Sequence, residues 1–405
     1  MEDEYYPVEI SENIYWVGVI DWNLRDFHAY ATPKGSSYNS YLILDDKITL
    51  IDTVKDHLAD EMISRIEKVV DPAKIDYVVA NHVEPDHSSS LSRVMKMNQN
   101  AKIFATKRAK DGLCQYYRPY GCDSWDFEVV DTGYELDLGK RTLAFIETPM
   151  LHWPDSMQTY LKEDRILFSN DGFGQHLASS HRFNDEVDNA LEEASEYYAN
   201  ILMPFSKPVF NLLEKVEKLN IEIDMIATGH GIIWRDNPGQ IIDAYRKWAS
   251  GETVPKVLVI YDSMWGSTEK MAKVVVEGIT SKGIEAQLLH LRKNEWSMII
   301  REILEAPVIA IGSTTINNGP LHSVAGFLTH LKGLRPKNKK AAVFGSYGWG
   351  GGGVKFAESE LENTGVEIVE KGIQIKFGPD KEDLKACREL GIRLADIASL
   401  DQTRT

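Results

Sequence analysis

The chain has 405 residues, and its 61 acidic side chains outnumber 45 basic ones for a formal net charge of −16. No block of Lys and Arg interrupts that balance, which argues against a nucleic-acid partner gripped through a concentrated basic face. Hydrophobic residues at 43% and charged residues at 26% describe a soluble globular chain long enough for two or three cores. No apolar run approaches the ~18 residues that span a bilayer. The opening Met1-Glu2-Asp3-Glu4-Tyr5-Tyr6 is acidic and lacks an apolar stretch, so no signal peptide and no membrane partner are expected, and the location reads as cytoplasmic. Cys114, Cys122 and Cys387 stand at no metal-ligand spacing and suit a reducing compartment. They read as inert packing residues.

Taken in chain order, residues 41–44 and 49–52 are expected as neighbouring strands, 56–70 as a helix and 75–80 as a buried strand ending at Asn81. Further strands are expected at 102–105, 142–148 and 165–169. A helical stretch from 184 to about 219, broken near Pro204 and Pro208, precedes a short strand at 225–228. Sheets interleaved with helices imply layered α/β packing. The pattern changes near Gly251-Glu252-Thr253-Val254-Pro255, which divides the chain into domains 1–252 and 253–405. Beyond it, strands at 256–261, 286–290, 307–312, 341–345 and 368–375 alternate with helices. That rhythm predicts a doubly wound parallel sheet with its ligand off the carboxyl ends of the strands.

In the first half, Asn81-His82-Val83-Glu84-Pro85-Asp86-His87-Ser88 places four ligand-type side chains within six positions, directly after a buried strand. Pro85 restricts the turn and keeps Glu84 out of helical geometry, so that side chains can converge on one point. A capped polar turn is the bland alternative. Burying two carboxylates and two imidazoles without a cation would be costly. His152, Asp171 and His230 each follow a strand, and His230 lies between Gly229 and Gly231, which permit close backbone approach.

This ligand order resembles the metallo-β-lactamase superfamily over residues 10 to 250. Zinc hydrolases of that superfamily carry a second histidine where this sequence has Glu84. A carboxylate there makes the site harder and favours iron over zinc.

In the second half, Ser263-Met264-Trp265-Gly266-Ser267-Thr268 joins a strand to a helix. Its hydroxyls and backbone N–H groups form a phosphate cradle without Lys or Arg. Thr314-Thr315-Ile316-Asn317-Asn318 and Ser346-Tyr347-Gly348-Trp349-Gly350 follow later strands. The first offers polar groups to a flavin's edge; the second offers glycines and a Tyr347 or Trp349 ring against its face. Three such loops resemble flavodoxin, and a single phosphate cradle without a second Gly-rich dinucleotide motif points to FMN rather than FAD.

Together, His-x-Glu-x-Asp-His, Leu151-His152-Trp153-Pro154-Asp155-Ser156-Met157, Ser169-Asn170-Asp171-Gly172-Phe173-Gly174-Gln175 and Gly229-His230-Gly231 resemble the flavodiiron (A-type flavoprotein) family over nearly the whole chain. The resemblance implies a metallo-β-lactamase-like αββα sandwich followed by a flavodoxin-like domain, with FMN and two non-haem irons as cofactors. It further implies that His82, Glu84 and His152 hold one iron, that Asp86, His87 and His230 hold the other, and that Asp171 bridges them. Some family members leave the position of His87 unligated. His28 resembles a family segment lining the gas pocket, while His176 and Tyr198 are expected to orient ligands or donate a proton; ordinary packing is the alternative for all three.

The implied activity is reduction of dioxygen to water, or of nitric oxide to nitrous oxide, with electrons relayed by FMN from rubredoxin or reduced coenzyme F420. In the family a head-to-tail homodimer brings one protomer's FMN to the other's irons. Two rival readings are a zinc-dependent hydrolase fused to a flavodoxin-like module, and a plain electron carrier with a structural first domain. Glu84 speaks against the first, and seven ligand-type side chains speak against the second.

Overall fold

A computed structural model describes residues 5–218 and 221–400. Met1 to Glu4, on which the reading of the amino terminus partly rests, and position 219, where the long helical stretch was expected to end, lie outside the described residues. The chain forms two compact units. One is Met1–Tyr197 with Lys207–Arg246, and the other is Tyr198–Ser206 with Lys247–Thr405.

Two sheets face each other in the first unit. The larger runs Val8–Ser11, Ile14–Trp16, Tyr41–Ile43, Thr49–Ile51, Tyr77–Val79, Lys102–Ala105 and Asp126–Val129 in spatial order. Its last four strands are parallel. The smaller runs Glu135–Asp137, Thr142–Glu147, Met157–Leu161, Ile166–Asn170 and Met225–Thr228.

Strand alternation explains the layering. Leu42, Leu50, Val78 and Ile103 point outward, into a core shared with Met62 and Ile66 of the helix Ala59–Glu67 and with Leu113 of the helix Lys107–Tyr116. Their neighbours Tyr41, Ile43, Ile51, Val79 and Phe104 point inward and meet Phe145, Met157, Leu161, Phe168 and Ala227 of the second sheet. Strands covered on both faces carry apolar side chains on both, as Tyr41–Ile43 does.

The expected strands at 41–44, 49–52, 75–80, 102–105, 142–148, 165–169 and 225–228 all have counterparts, usually trimmed by a residue or two at an end. The helix expected over 56–70 is a 3-10 turn Asp56–Leu58 followed by the helix Ala59–Glu67. Near Pro204 the helical stretch is interrupted by the π-turn Tyr198–Leu202 and the 3-10 turn Met203–Phe205. Pro208 causes no break, because it lies in the first turn of the helix Ser206–Lys218, where no intrahelical N–H is missed. Short strands such as Glu135–Asp137 went unread because three residues carry too little periodicity.

The second unit holds a parallel sheet in the order Glu285–His290, Lys256–Asp262, Val308–Ile316, Lys340–Tyr347, Glu367–Ile368. The single strand expected at 368–375 is two pieces, Glu367–Ile368 and Ile373–Lys376, pairing at different heights with Lys340–Tyr347. Between them, a Cβ built on Gly372 would lie 2.3 Å from a Val354 methyl carbon. The helices Ser267–Thr280 and Lys381–Leu400 pack backbone to backbone. A Cβ on Gly278 would sit 2.2 Å from the Arg388 carbonyl oxygen, and one on Gly391 would sit 2.1 Å from that of Val275. Gly391→Val must therefore force these helices apart. It should destabilise the protein by about 2 kcal/mol, seen as a lowered midpoint in thermal denaturation; an unchanged midpoint would refute this tight contact.

Candidate metal centre and cofactor cleft

Every ligand-type side chain singled out in the first unit follows the carboxyl end of a strand. His82, Glu84, Asp86 and His87 come after Tyr77–Val79, His152 after Thr142–Glu147, Asp171 after Ile166–Asn170 and His230 after Met225–Thr228. Pro85 opens the one-turn helix Pro85–Ser88, with Glu84 held extended at φ −55° and ψ 138°. The turn is pinned from outside: Thr53 donates its backbone N–H and its hydroxyl to the His87 carbonyl at 2.9 and 2.8 Å. Gly229 is required by space, since a Cβ there would lie 2.9 Å from His87 Cε1 and 2.8 Å from the Asn170 carbonyl carbon.

The seven side chains converge as two buried groups, His82–Glu84–His152–Asp171 and Asp86–His87–His230, each with its ligand atoms within 4.8 Å of one another. Asp171 faces both. Its Oδ1 lies 2.9 Å from His87 Nε2 and 3.3 Å from His230 Nε2. Its Oδ2 lies 3.5 Å from His82 Nε2 and 3.4 Å from His152 Nε2. Glu84 Oε2 stands 3.3 Å from His82 Nε2 and 3.1 Å from His152 Nε2, and Asp86 Oδ2 stands 3.4 Å from His230 Nε2. Atoms bound about 2.1 Å from a shared ion are separated by about 3.0–3.4 Å at octahedral to tetrahedral angles, which matches this spacing.

Electrostatics point the same way. Burial would lower the His87 pKa, but the Asp86 and Asp171 carboxylates overcome it and raise it to about 9. Burial likewise opposes charge on His82, yet Asp155 and Glu84 hold it well above the ordinary range. Burial would raise the Asp171 carboxyl, and His87, His152 and His230 instead hold it well down. The carboxylates thus make these positions attractive to positive charge. Both Asp86 carboxylate oxygens and Asp171 Oδ2 are buried without a hydrogen-bond partner. Bare buried carboxylate oxygens are expensive, and a pair of metal ions would relieve them. The donor set is all imidazole and carboxylate, suited to iron.

Several positioning residues were not singled out beforehand. Asp155 Oδ2 receives His82 Nδ1 at 2.9 Å and the Val83 N–H at 2.8 Å, turning His82 Nε2 toward the group. The Ser37 carbonyl does the same for His230 Nδ1 at 2.8 Å. Asp52 accepts the Asn81 N–H at 2.8 Å, Asn81 Nδ2 at 2.9 Å and Asn170 Nδ2 at 3.1 Å, tying two ligand loops together. Asp155 was legible as the aspartate three residues after His152; Asp52, as the polar residue ending an apolar strand.

His28 occupies a two-residue hairpin turn between Asp26–Phe27 and Tyr30–Ala31, with positive φ at both His28 and Ala29. Its Nε2 lies 2.5 Å from Glu84 Oε1. His176 is buried; Ser36 Oγ lies 2.8 Å from its Nδ1, and its ring centroid is 5.1 Å from that of His230. Burial, then the nearby His230, hold its pKa well below the usual value. The tyrosine that reaches the ligands is Tyr197, not Tyr198: its hydroxyl donates to Asp171 Oδ1 at 3.3 Å. Tyr198 begins the π-turn, and its hydroxyl donates to Ser206 Oγ at 2.9 Å.

In the second unit a cavity of about 720 Å³ opens at the carboxyl ends of the parallel strands. Met264, Trp265, Ser267, Thr314, Thr315, Ile316, Asn317, Asn318, Ser346, Tyr347, Gly348, Trp349 and Gly350 line it. Ser263, Gly266 and Thr268 do not line it and shape the loop instead. Ser263 Oγ accepts the Gly266 N–H at 3.1 Å, and Thr268 Oγ1 lies 3.1 and 3.0 Å from Thr314 Oγ1 and Ser346 Oγ. Gly266 has φ +85° at the start of the helix Ser267–Thr280, so that helix's free N–H groups open onto the loop. Phe377 and Gly378 also line the cavity and were missed. The same strand-end rule, applied after Ile373–Lys376, would have found them.

Residues 37–231 match the family model described as ODP family beta lactamase, and residues 259–391 match the flavodoxin model. The chain is similar to the nitric oxide reductase of Moorella thermoacetica, at 46% identity over 394 residues, spanning 96% of this chain and 98% of that protein. It is similar to the anaerobic nitric oxide reductase flavorubredoxin of Escherichia coli at 41% identity over 395 residues, spanning 96% of this chain and 82% of that one. Among solved structures, rubredoxin oxygen:oxidoreductase from Desulfovibrio gigas superposes with a TM-score of 0.94 at 37% identity, covering 97% of this chain and 99% of the other. The flavodiiron protein of Giardia intestinalis superposes with a TM-score of 0.93 at 39% identity, covering 97% of both chains. The expected metallo-β-lactamase-like and flavodoxin-like folds are thus both present, in the expected order. With end-to-end likeness at this level, and with one buried carboxylate facing two ligand groups, the chain belongs to the flavodiiron protein family.

Proposed function

We propose that this oxidoreductase reduces dioxygen to water at a pair of iron ions, using electrons relayed by FMN. The observation that carries this reading is Asp171, whose two oxygens face separate sets of imidazoles at 2.9–3.5 Å. Reduction of nitric oxide to nitrous oxide at the same site is a second reading, favoured by the relatives named nitric oxide reductase. When bound, FMN supplies electrons singly or in pairs, and the irons supply open positions for a diatomic oxidant.

The chain's own residues divide the work. His82, Glu84 and His152 would hold one iron, Asp86, His87 and His230 the other, with Asp171 facing both sets. Asp155 and the Ser37 carbonyl fix two imidazole orientations. His28 is partly exposed and meets Glu84 Oε1, so a proton can pass at its Nε2 between solvent and the ligand shell. His176, kept neutral by burial, offers a ring N–H or a lone pair but no charge. In the flavin unit, Ser267 and the adjoining N–H groups would hold the phosphate, Thr268 bracing the loops behind it, while the loops at Thr314–Asn318 and Ser346–Gly350 would enclose the ring. Trp265 and Trp349, 90% and 96% exposed, offer apolar surface at the mouth of the cleft.

We assign the domains as 1–252 and 253–405, the donor as rubredoxin or reduced coenzyme F420, the assembly as a head-to-tail homodimer or a dimer of such dimers, and the location as cytoplasmic. No helix among the described residues is long and apolar enough to cross a membrane. The competing zinc hydrolase reading is disfavoured by Glu84, which stands where zinc hydrolases of that superfamily carry histidine.

Purified under anaerobic conditions, the protein should carry two irons per chain and oxidised-flavin absorbance, and should consume dioxygen once reduced. Two zincs without iron would overturn the assignment in favour of hydrolysis. His82→Ala or Asp171→Ala should abolish turnover while FMN stays bound; undiminished turnover would rule out the ligand set. Asp155→Asn should weaken iron binding roughly 10–100-fold, read by chelator competition, and an unaltered affinity would remove Asp155 from its positioning role. Gly266→Val forces a branched side chain into left-handed backbone and should raise the FMN dissociation constant about tenfold, leaving iron content unchanged.

A further inference from the structure

Cys114 and Cys122 take no part in either ligand group or in the cofactor cleft. Cys114 lies near the end of the helix Lys107–Tyr116, and Cys122 opens the 3-10 turn Cys122–Ser124. Between them the chain reverses through the turn Arg118–Tyr120 and Gly121, whose φ of +86° lies in the left-handed region that glycine tolerates. The reversal brings the two sulfurs to 3.1 Å, with both thiols free. A disulfide requires about 1 Å of further approach. Cys114 is half-buried and Cys122 buried, so a reagent from solvent meets Cys114 first. Burial, and then the neighbouring Cys114, push the Cys122 thiol well above its usual pKa, so Cys122 is not the sulfur that peroxide oxidises first.

We propose that Cys114 and Cys122 are a modification site for hydroperoxides, a dithiol that closes to an intramolecular disulfide. With hydrogen peroxide, Cys114 sulfur attacks one oxygen, the O–O bond breaks, and Cys114 becomes a sulfenic acid as one water leaves. Cys122 sulfur then displaces the hydroxyl from Cys114 sulfur, the S–S bond forms, and a second water leaves. The two thiols lose two electrons and two protons, and hydrogen peroxide gains both to become two waters. A small dithiol reverses the bridge by exchange. The closed loop brackets Tyr117, whose hydroxyl lies 2.7 Å from Ser88 Oγ, one residue beyond His87. The bridge therefore fastens a segment that supports the ligand turn. Sequence spacing alone made these cysteines look like packing residues; the chain reversal pairs them.

The test treats the as-isolated holoprotein with a small excess of hydrogen peroxide, then alkylates it in denaturant and maps it by mass. The expected result is a segment carrying both Cys114 and Cys122 that is lighter by about 2 Da, with Cys387 alkylated alone. Dithiothreitol should then return all three thiols. In Cys122→Ser, oxidation should stop at a Cys114 sulfenic acid trapped by dimedone, and in Cys114→Ser no bridge and no sulfenic acid should form. Three alkylated thiols after peroxide would overturn the proposal. So would a sulfinic acid at Cys114 without a bridge, or a bridge to another molecule.

Discussion

Three carboxylates and four imidazoles sit almost out of reach of water at the carboxyl ends of the first unit's strands, and that concentration of buried polar groups governs what surrounds them. Uncompensated, such charges cost far more than packing can return. The fold meets the cost in two ways. Imidazoles and carboxylates are interleaved, so that each acid faces at least one nitrogen at 2.9–3.5 Å. Groups behind them, Asp155, the Ser37 carbonyl and Asp52 with its two asparagines, then fix the orientation of the side chains and the loops that carry them. The residual strain falls on the Asp86 and Asp171 oxygens that no N–H or O–H reaches, which are the atoms a metal pair would claim.

That arrangement depends on strands too apolar to shift. Tyr41, Ile43, Ile51, Val79 and Phe104 are locked against the second sheet, and Leu42, Leu50, Val78 and Ile103 against helices. A slip of one residue would exchange these faces and carry every following ligand with it. Rigid strands ending in short loops therefore place ligands from distant parts of the chain within hydrogen-bonding range. The second unit applies the same rule with a different outcome. Its strand-end loops bear hydroxyls, glycines and aromatic rings in place of acids and imidazoles, and they enclose a cleft sized for a flavin rather than an ion pair.

The chemistry follows from the donor atoms. Nitrogen and oxygen ligands with no thiolate make a hard site, and Glu84 in a position where hydrolases of the same fold place histidine makes it harder and more anionic. Iron and electron transfer fit this set better than zinc and hydrolysis. The chain's thiols are elsewhere, in Cys387 of the second unit and in the Cys114–Cys122 pair of the first.

Much of this was legible in the sequence because the relevant signals are local. A buried strand followed by His82, Glu84, Pro85, Asp86 and His87 announces a ligand turn by spacing alone, and the change of rhythm near Pro255 announces a second fold. Strand periodicity located much of the sheet; it missed short strands such as Glu135–Asp137, the polar-interrupted Met157–Leu161, and the break between Glu367–Ile368 and Ile373–Lys376. What the sequence could not determine is which side chains meet across long separations. Asp155 behind His82, the Asp52–Asn81–Asn170 link, Tyr197 in place of Tyr198, and the two thiols at 3.1 Å all depend on how loops and helix ends turn in space. Local sequence sets the period of each segment, but the direction in which its last residue points is decided by the sheets and helices packed around it.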